Sequence, residues 1–155
     1  MILSITVLAA LATLSGLTVI TTRGTMSQET NDRFHTIALR AAESGAASTM
    51  DYLRANIDPT TKWTSLIGTA PPFLANTALP DTPNNQFRHD QQAYYIATVI
   101  NNPRDPGGPG TDTDTDVIIH SEGHGPNGAI SIIEWEVKGT VAGAAMTLVG
   151  WREVL

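Results

Sequence analysis

The first 22 residues form a mostly apolar stretch that contains no charged side chain. As a helix that rises ~1.5 Å per residue, this stretch would be about 33 Å long, which matches the roughly 30 Å hydrocarbon core of a bilayer. A cleaved secretory signal would normally open with Lys or Arg, whereas this chain runs directly into Ile2-Leu3. The pattern therefore predicts a hydrophobic helix over residues 1–22 that can lie in a membrane or in the core of a filament.

Small residues recur along this stretch at helical spacing. Ala9 and Thr13, and likewise Ala12 and Gly16, are four positions apart, so each pair shares a helix face on which two backbones can approach closely. This spacing favours association between helices, and the alternative is an ordinary membrane anchor that contains some alanine. The side chains expected to pack in a filament are Ile2, Leu3, Ile5, Leu8, Ala9, Ala12, Thr13, Gly16 and Leu17.

Residues 23–58 have the periodicity of an amphipathic helix that continues the first one. Ser27 can cap its amino end, and Asp58-Pro59 is expected to end it, because the residue before proline avoids the helical region. One stripe repeats at alternating steps of four and three. Its members are Phe34, Ala38, Ala41, Gly45, Ser48 and Tyr52. The small size of most of them predicts close packing against a sheet or against copies of the same helix.

Residues 59–155 have the pattern of a β-rich globular head. After a proline-rich stretch at 60–88, runs rich in β-branched and aromatic residues predict strands at 93–100, 116–121, 129–138 and 145–154. Asn127-Gly128 predicts a tight turn, and Trp135 and Trp151 are expected to fill the core or cover its edge. The fold class predicted is therefore α+β, with a long amino-terminal helix packed on a roughly four-stranded antiparallel sheet.

Charge and cysteine content narrow the choice of partners. The net charge of −6 disfavours nucleic acid, whose phosphates require a basic surface. The chain has no cysteine, so disulfides, thiolate catalysis and cysteine-based metal sites are excluded. The head must then be held together by packing or by a metal ion.

An acidic segment is the best candidate for a metal site. Asp105, Asp112, Asp114 and Asp116 lie in a stretch rich in Gly, Pro and Thr, and alternate aspartates direct hard oxygen ligands to one side of an extended chain. Their spacing differs from the EF-hand pattern. The two interpretations are a calcium site and a solvated acidic loop, with no other cofactor indicated.

Catalytic patterns are absent from the sequence. His120, Glu122 and His124 alternate and could share one face of a strand as transition-metal ligands, but the following glycines favour polar turn residues at a strand end. Neither a zincin pattern, nor a nucleophile elbow, nor a phosphate-binding glycine loop is present. The chain is therefore not expected to be an enzyme.

Several short stretches of the sequence resemble those of the type IV pilin superfamily, and within it those of the PilX-like minor pilins. They are the apolar amino terminus, Ala41-Ala42-Glu43-Ser44-Gly45 on its amphipathic continuation, the stretch Val117-Ile118-Ile119-His120-Ser121-Glu122-Gly123 and the closing Gly150-Trp151-Arg152-Glu153. The resemblance implies a structural subunit of an extracellular pilus or fimbrium, with other pilin subunits and a tip adhesin as partners. It also implies that residues 1–22 lie in the bacterial inner membrane before assembly.

Two departures from the pilin pattern bear on the type of subunit. Pilins usually carry Glu as the fifth mature residue, where this chain has Ile5, and many close a loop with a disulfide that is impossible here. Ile5 favours a minor subunit of the priming or tip type. The alternatives are a principal subunit of the same kind of filament and a monomeric, membrane-anchored module that binds calcium or mediates adhesion.

Overall fold

The computed structural model describes residues 2–68, 86–88, 93–141 and 145–154, and the side chains of residues 2–6, 9, 10 and 86–88 lie outside the description. The chain begins with helix α1, Ile2–Ala55, and continues with five strands. The strands are β1 (Gln86–Arg88), β2 (Tyr94–Asn101), β3 (Asp116–His124), β4 (Ile130–Gly139) and β5 (Met146–Val154). Short 3-10 turns occur at Thr64–Leu66 and Pro126–Gly128.

The chain divides into two units, and the division falls inside α1. The amino-terminal unit is Met1–Arg33, and the larger unit is Phe34–Leu155. The amino-terminal unit consists of helix alone from Ile2 onward. The larger unit contains the last part of α1 and the whole sheet.

Helix α1 forms without interruption because the chain has no proline before Pro59. The helix ends at Ala55, slightly before the predicted Asp58-Pro59 boundary. Asp58 instead organises the turn that follows, where its Oδ1 accepts hydrogen bonds from the amides of Thr60 and Thr61, each at 2.7 Å. The helix therefore ends three residues earlier than predicted, because this turn rather than the proline terminates it.

The inner-membrane localisation that the sequence predicted is wrong. Among the residues that the structure describes, no helix contains a stretch long and apolar enough to cross a membrane. Beyond Leu11, hydroxyl-bearing residues interrupt the apolar stretch and lower its mean hydropathy, and the charged Arg23 follows Thr22 directly. The polar positions in this part are Thr13, Ser15, Thr18, Thr21 and Thr22.

The sheet is an antiparallel meander in which the strands follow chain order, β1-β2-β3-β4-β5. The α+β class and the packing of a long amino-terminal helix on an antiparallel sheet are thus confirmed. Strand β1 was not predicted, because it is only three residues long and follows a proline- and asparagine-rich stretch. The pairing of β4 with β5 contains a register shift at Glu136/Val137.

The core of the larger unit lies between the last part of α1 and one face of the sheet. The strands contribute alternate residues, as the period of two requires, and these include Val99, Val117, Ile119, Ile133 and Val137. The helix contributes a line of buried side chains that begins with the small residues Ala38, Ala42, Ala46 and Thr49 and ends with Leu53. The predicted stripe was therefore partly correct, since Ala38, Ala41 and Gly45 are buried whereas Phe34, Ser48 and Tyr52 are only half-buried.

Glycines bring the helix backbone into direct contact with the sheet. A Cβ atom at Gly123 of β3 would lie 2.0 Å from the carbonyl oxygen of Ala38 and 2.5 Å from the amide nitrogen of Ala42. On the helix, a Cβ atom at Gly45 would lie 2.4 Å from Oγ of Ser121. The Ala41-Ala42-Glu43-Ser44-Gly45 phrase thus has a physical explanation, because its small residues permit this close approach.

Candidate assembly surface and acidic loop

The amino-terminal unit exposes a large number of apolar side chains. Between Val7 and Met26, eight large hydrophobic side chains are each between 52% and 69% exposed. They are Val7, Leu8, Leu11, Leu14, Leu17, Val19, Ile20 and Met26. At 100° per residue these positions point in nearly every direction around the helix axis, so the apolar surface encircles the helix rather than forming one stripe. We call residues 7–26 the assembly helix.

The predicted packing residues lie within or just before this surface. Leu8, Ala12, Thr13, Gly16 and Leu17 are exposed, whereas the side chains of Ile2, Leu3, Ile5 and Ala9 lie outside the described residues. A Cβ atom at Gly16 would meet no atom within 4 Å. A glycine inside a helix is less favourable than alanine by about 1 kcal/mol. Packing against the residues that the structure describes does not explain why glycine is present at this position.

Five hydroxyl groups of the assembly helix donate hydrogen bonds to backbone carbonyls of the same helix. The Ser15 hydroxyl donates to the carbonyl of Leu11 at 2.6 Å, and that of Thr22 donates to the carbonyl of Thr18 at 2.8 Å. Thr18, Thr21 and Thr25 each donate to carbonyls three and four residues earlier. Because these donors are already satisfied, a neighbouring molecule can cover them without leaving a hydroxyl hydrogen unpaired.

The acidic loop, residues 101–116, is held together by side-chain hydrogen bonds. Asp105 is buried and accepts hydrogen bonds from the amide and hydroxyl of Thr113, at 2.7 and 2.5 Å, and from the amide of Gly107 at 2.6 Å. Burial alone would raise the pKa of the Asp105 carboxyl, but these donors outweigh it and hold the pKa well below its usual value. The ionised form of Asp105 therefore stabilises the loop.

Asp112 connects the acidic loop to the segment after α1. Its carboxylate accepts hydrogen bonds from the amides of Trp63 at 3.1 Å and Thr115 at 2.9 Å. Trp63 is fully buried, and its indole Nε1 donates to the carbonyl of Leu53 near the end of the helix. Burial raises the pKa of the Asp112 carboxyl despite the two backbone donors. This tie links two segments that are distant in sequence without a disulfide.

Asp114 and Asp116 differ in their partners. Asp114 accepts two hydrogen bonds from the side-chain amide of Asn102, each at 3.1 Å, and one from the amide of Asp116 at 3.0 Å. Asp116 forms an ion pair with Lys138 of β4 at 2.9 Å. The hydrogen bond to Asp116 raises the pKa of the Lys138 ammonium.

The structure brings three of the four predicted calcium ligands together. Asp105, Asp112 and Asp114 each offer a carboxylate oxygen, and these oxygens lie within 4.8 Å of one another. Asp116 is not part of this group. Each of the three carboxylates also accepts hydrogen bonds from groups of the protein. Calcium binding at this loop stays a prediction.

Replacement of Asp112 tests its role as a structural tie. We expect Asp112→Ala to lower the free energy of unfolding by about 2 kcal/mol, because the amides of Trp63 and Thr115 lose their acceptor. Urea unfolding followed by tryptophan fluorescence measures the change. The control is Asp51→Ala, whose side chain is 75% exposed and which we expect to alter stability by less than ~0.5 kcal/mol. Equal effects of the two variants would refute the role assigned to Asp112.

Acid titration tests the role of Asp105. Because its folded pKa lies below the usual 3.8, the ionised carboxylate stabilises the fold above that value, and the contribution is lost as the pH falls toward the folded pKa. We expect Asp105→Asn to have a smaller free energy of unfolding than the parent at neutral pH. On acidification below about pH 4, the free energy of unfolding should decrease less in the variant than in the parent. Urea midpoints across this range measure the difference, and parallel pH curves for parent and variant would contradict it.

Two asparagines at the end of β2 organise the acidic loop and were not identified from the sequence. The Asn101 side-chain amide donates to the carbonyls of Gly108 at 2.6 Å and Thr111 at 2.9 Å. Asn102 bonds Asp114, as described above, and also the carbonyl of Asp116 at 3.0 Å. Both asparagines are buried, and a pair of adjacent asparagines directly after an apolar strand was the only signal in the sequence.

His120, Glu122 and His124 share the face of the sheet that points away from the helix, and all three lie in strand β3 rather than in the turn that the following glycines predicted. His124 Nε2 lies 2.8 Å from Glu122 Oε1, whereas His120 Nδ1 lies 3.3 Å from Glu134 Oε1 on β4. Strand β3 continues through Gly123 to His124, beyond the predicted end at Ser121. Among the described residues, the three do not form a group with metal-ligand spacing.

The same outer face carries a row of charges that the sequence analysis missed. Arg152 of β5 forms a close ion pair with Glu134, which also contacts His120. Burial raises the pKa of the Glu134 carboxyl, but the bonds from Arg152 and His120 outweigh it and lower the pKa. Beside this row lies an open cavity of about 300 Å³, with Arg104, Ile118, Glu136 and Gly150 among its lining residues. The prediction that the chain is not an enzyme stays a prediction.

Comparison with known proteins adds no family to these observations. No protein-family model, no curated protein and no solved structure matches this chain.

Proposed function

We propose that this chain is a structural subunit of a filament resembling the type IV pilus, and that it polymerises through the assembly helix. Within this class, the resemblance to the PilX-like minor pilins favours a minor subunit of the priming or tip type over a principal subunit. Other pilin-like subunits are the partners that the proposal requires, with a tip adhesin as a further candidate.

The observation that carries the proposal is the exposed apolar surface of the assembly helix. Eight large hydrophobic side chains more than half exposed on one helix form an apolar surface larger than soluble monomers normally present to water. Such a surface marks a site that other molecules cover, and burial of apolar area provides the driving force for its coverage. The long helix followed by an antiparallel sheet is also the layout that the pilin resemblance implies.

The distribution of this surface favours a polymer over a dimer. Covering the exposed part of each of the eight side chains contributes roughly 1 kcal/mol, or about 8 kcal/mol in all. Association costs about 4–15 kcal/mol in lost translational and rotational freedom, so a single partner would bind weakly at best. One partner can also cover only one side of a helix that is apolar all round. Several neighbours are therefore needed, and a filament supplies them.

The proposal is tested by assembly of the intact chain. We expect the purified protein, transferred from detergent into detergent-free buffer, to form sedimentable filaments that negative-stain electron microscopy detects. Minor subunits of the priming type can require a second subunit for elongation, so short oligomers in sedimentation velocity are also expected of that type. A protein that stays monomeric and dispersed at all concentrations would contradict the proposal. Copy number in native filaments distinguishes a minor from a principal subunit.

A further inference from the structure

Strand β5 carries a second exposed apolar patch, separate from the assembly helix. Leu148, Val149 and Trp151 are 41%, 58% and 52% exposed. We call these three residues the strand patch. They lie on the last strand of the sheet, which pairs only with β4 among the described strands. The segment 146–151 contains no charged residue.

The strand patch is not explained by the packing of its own sheet. Trp151 is opposite Trp135, which packs against the core and is half-buried. Trp151 itself is half exposed, so it does not fill the core, which was one of the two expectations from the sequence. Long, exposed, hydrophobic edge strands invite association with other chains, and soluble proteins usually protect them with charges. The charges here begin only at Arg152, after the patch ends.

The size of the strand patch indicates what kind of contact it can make. Half-exposed, its three side chains present on the order of 300 Å² of apolar area, which is comparable to functional patches on monomers. A stable two-chain interface requires about 800 Å² from each partner. The strand patch therefore cannot hold a dimer by itself, but it can contribute to an assembly that other contacts also support.

We propose that the strand patch binds the uncharged part of the assembly helix, residues 7–20, of a neighbouring copy. This inference rests on the proposed function and names a second contact within the same polymer. Both surfaces are apolar and free of charge, so neither brings a buried ion into the contact. Because two different surfaces meet, the contact is heterologous, and repeated heterologous contacts that do not close into a ring build an open filament.

Photo-crosslinking tests this contact in the assembled full-length protein. With benzoylphenylalanine in place of Trp151, we expect crosslinks between copies whose peptides map to residues 7–20. Crosslinks to strand residues of another copy would show edge-to-edge pairing of sheets instead and would overturn the proposal. Crosslinks within one copy only would overturn it as well.

Substitution provides an independent measurement. We expect Leu148→Thr with Trp151→Thr to raise the critical concentration for assembly at least about tenfold, while the thermal unfolding of the larger unit changes little because both side chains are already exposed. The matched control is Ile130→Thr, which removes a side chain that is 50% exposed on β4, outside the strand patch. If the double variant and the control assemble like the parent, the contact is refuted while the proposed function stands. If the parent itself does not assemble, the proposed function fails first.

Discussion

Gly123→Ala is expected to destabilise the larger unit by about 3 kcal/mol or more. The added methyl would lie 2.0 Å from the Ala38 oxygen and 2.5 Å from the Ala42 nitrogen. These two atoms are the acceptor and the donor of one turn of α1, so the methyl group cannot be accommodated by rotating a side chain. The helix must move away from β3, and the contact of its alanine face with the sheet is lost along with it. Urea unfolding of the variant and the parent measures the loss.

The matched control for this prediction is Gly110→Ala in the acidic loop. A Cβ atom at Gly110 would meet no atom within 4 Å. We therefore expect a change of less than ~0.5 kcal/mol there. A variant at position 123 that is as stable as the control would show that the helix does not approach the sheet as closely as described.

Leu14→Glu combined with Leu17→Glu is expected to abolish assembly. Both leucines are 61% exposed in the single chain, so the substitutions should leave the fold of the larger unit unchanged. In a polymer that buries this helix, each carboxylate would be left without a partner, at a penalty of about 3 kcal/mol or more per charge. For the two charges together, this penalty corresponds to a rise of at least about 10,000-fold in the critical concentration, which sedimentation of the assembled fraction measures.

The control adds the same charge elsewhere on the same helix. Gln28→Glu with Asn31→Glu places two carboxylates on exposed positions beyond the assembly helix, and we expect these variants to assemble like the parent. Assembly of the leucine variant at the concentration of the parent would mean that Leu14 and Leu17 stay in contact with water in the polymer. That result would show that polymerisation does not depend on burial of the assembly helix.

Much of the fold follows from local pattern. The four longer strands lie where β-branched and aromatic runs predicted them, because the period of two along a half-buried sheet is a strong local signal. The buried side of the helix differs from the predicted stripe. The predicted stripe was counted from Phe34 in alternating steps of four and three, but Phe34 is only half-buried against the sheet. The contact with Gly123 and Gly125 decides which helix side faces the sheet, and that contact is not local in sequence.

The acidic loop shows where sequence patterns give incomplete information. Alternating aspartates predicted a set of oxygen atoms in one place, and three of the four do converge. Their principal partners, such as the amides of Trp63 and Thr113, are backbone groups that have no signature in the sequence. Membrane insertion failed as a prediction because length and the absence of charge were given more weight than the many hydroxyl-bearing residues beyond Leu11.

In the proposed filament, copies of this chain cover the assembly helix, and site-specific labelling measures this coverage directly. Because this sequence has no cysteine, Leu14→Cys introduces a single thiol on the exposed helix surface. We expect this thiol to react rapidly with a maleimide reagent in dispersed protein and at least about tenfold more slowly after assembly, as burial excludes the reagent. Asn127→Cys, at an exposed turn of the larger unit, provides the reference rate. Equal labelling of Leu14→Cys in dispersed and assembled protein would contradict the proposed coverage.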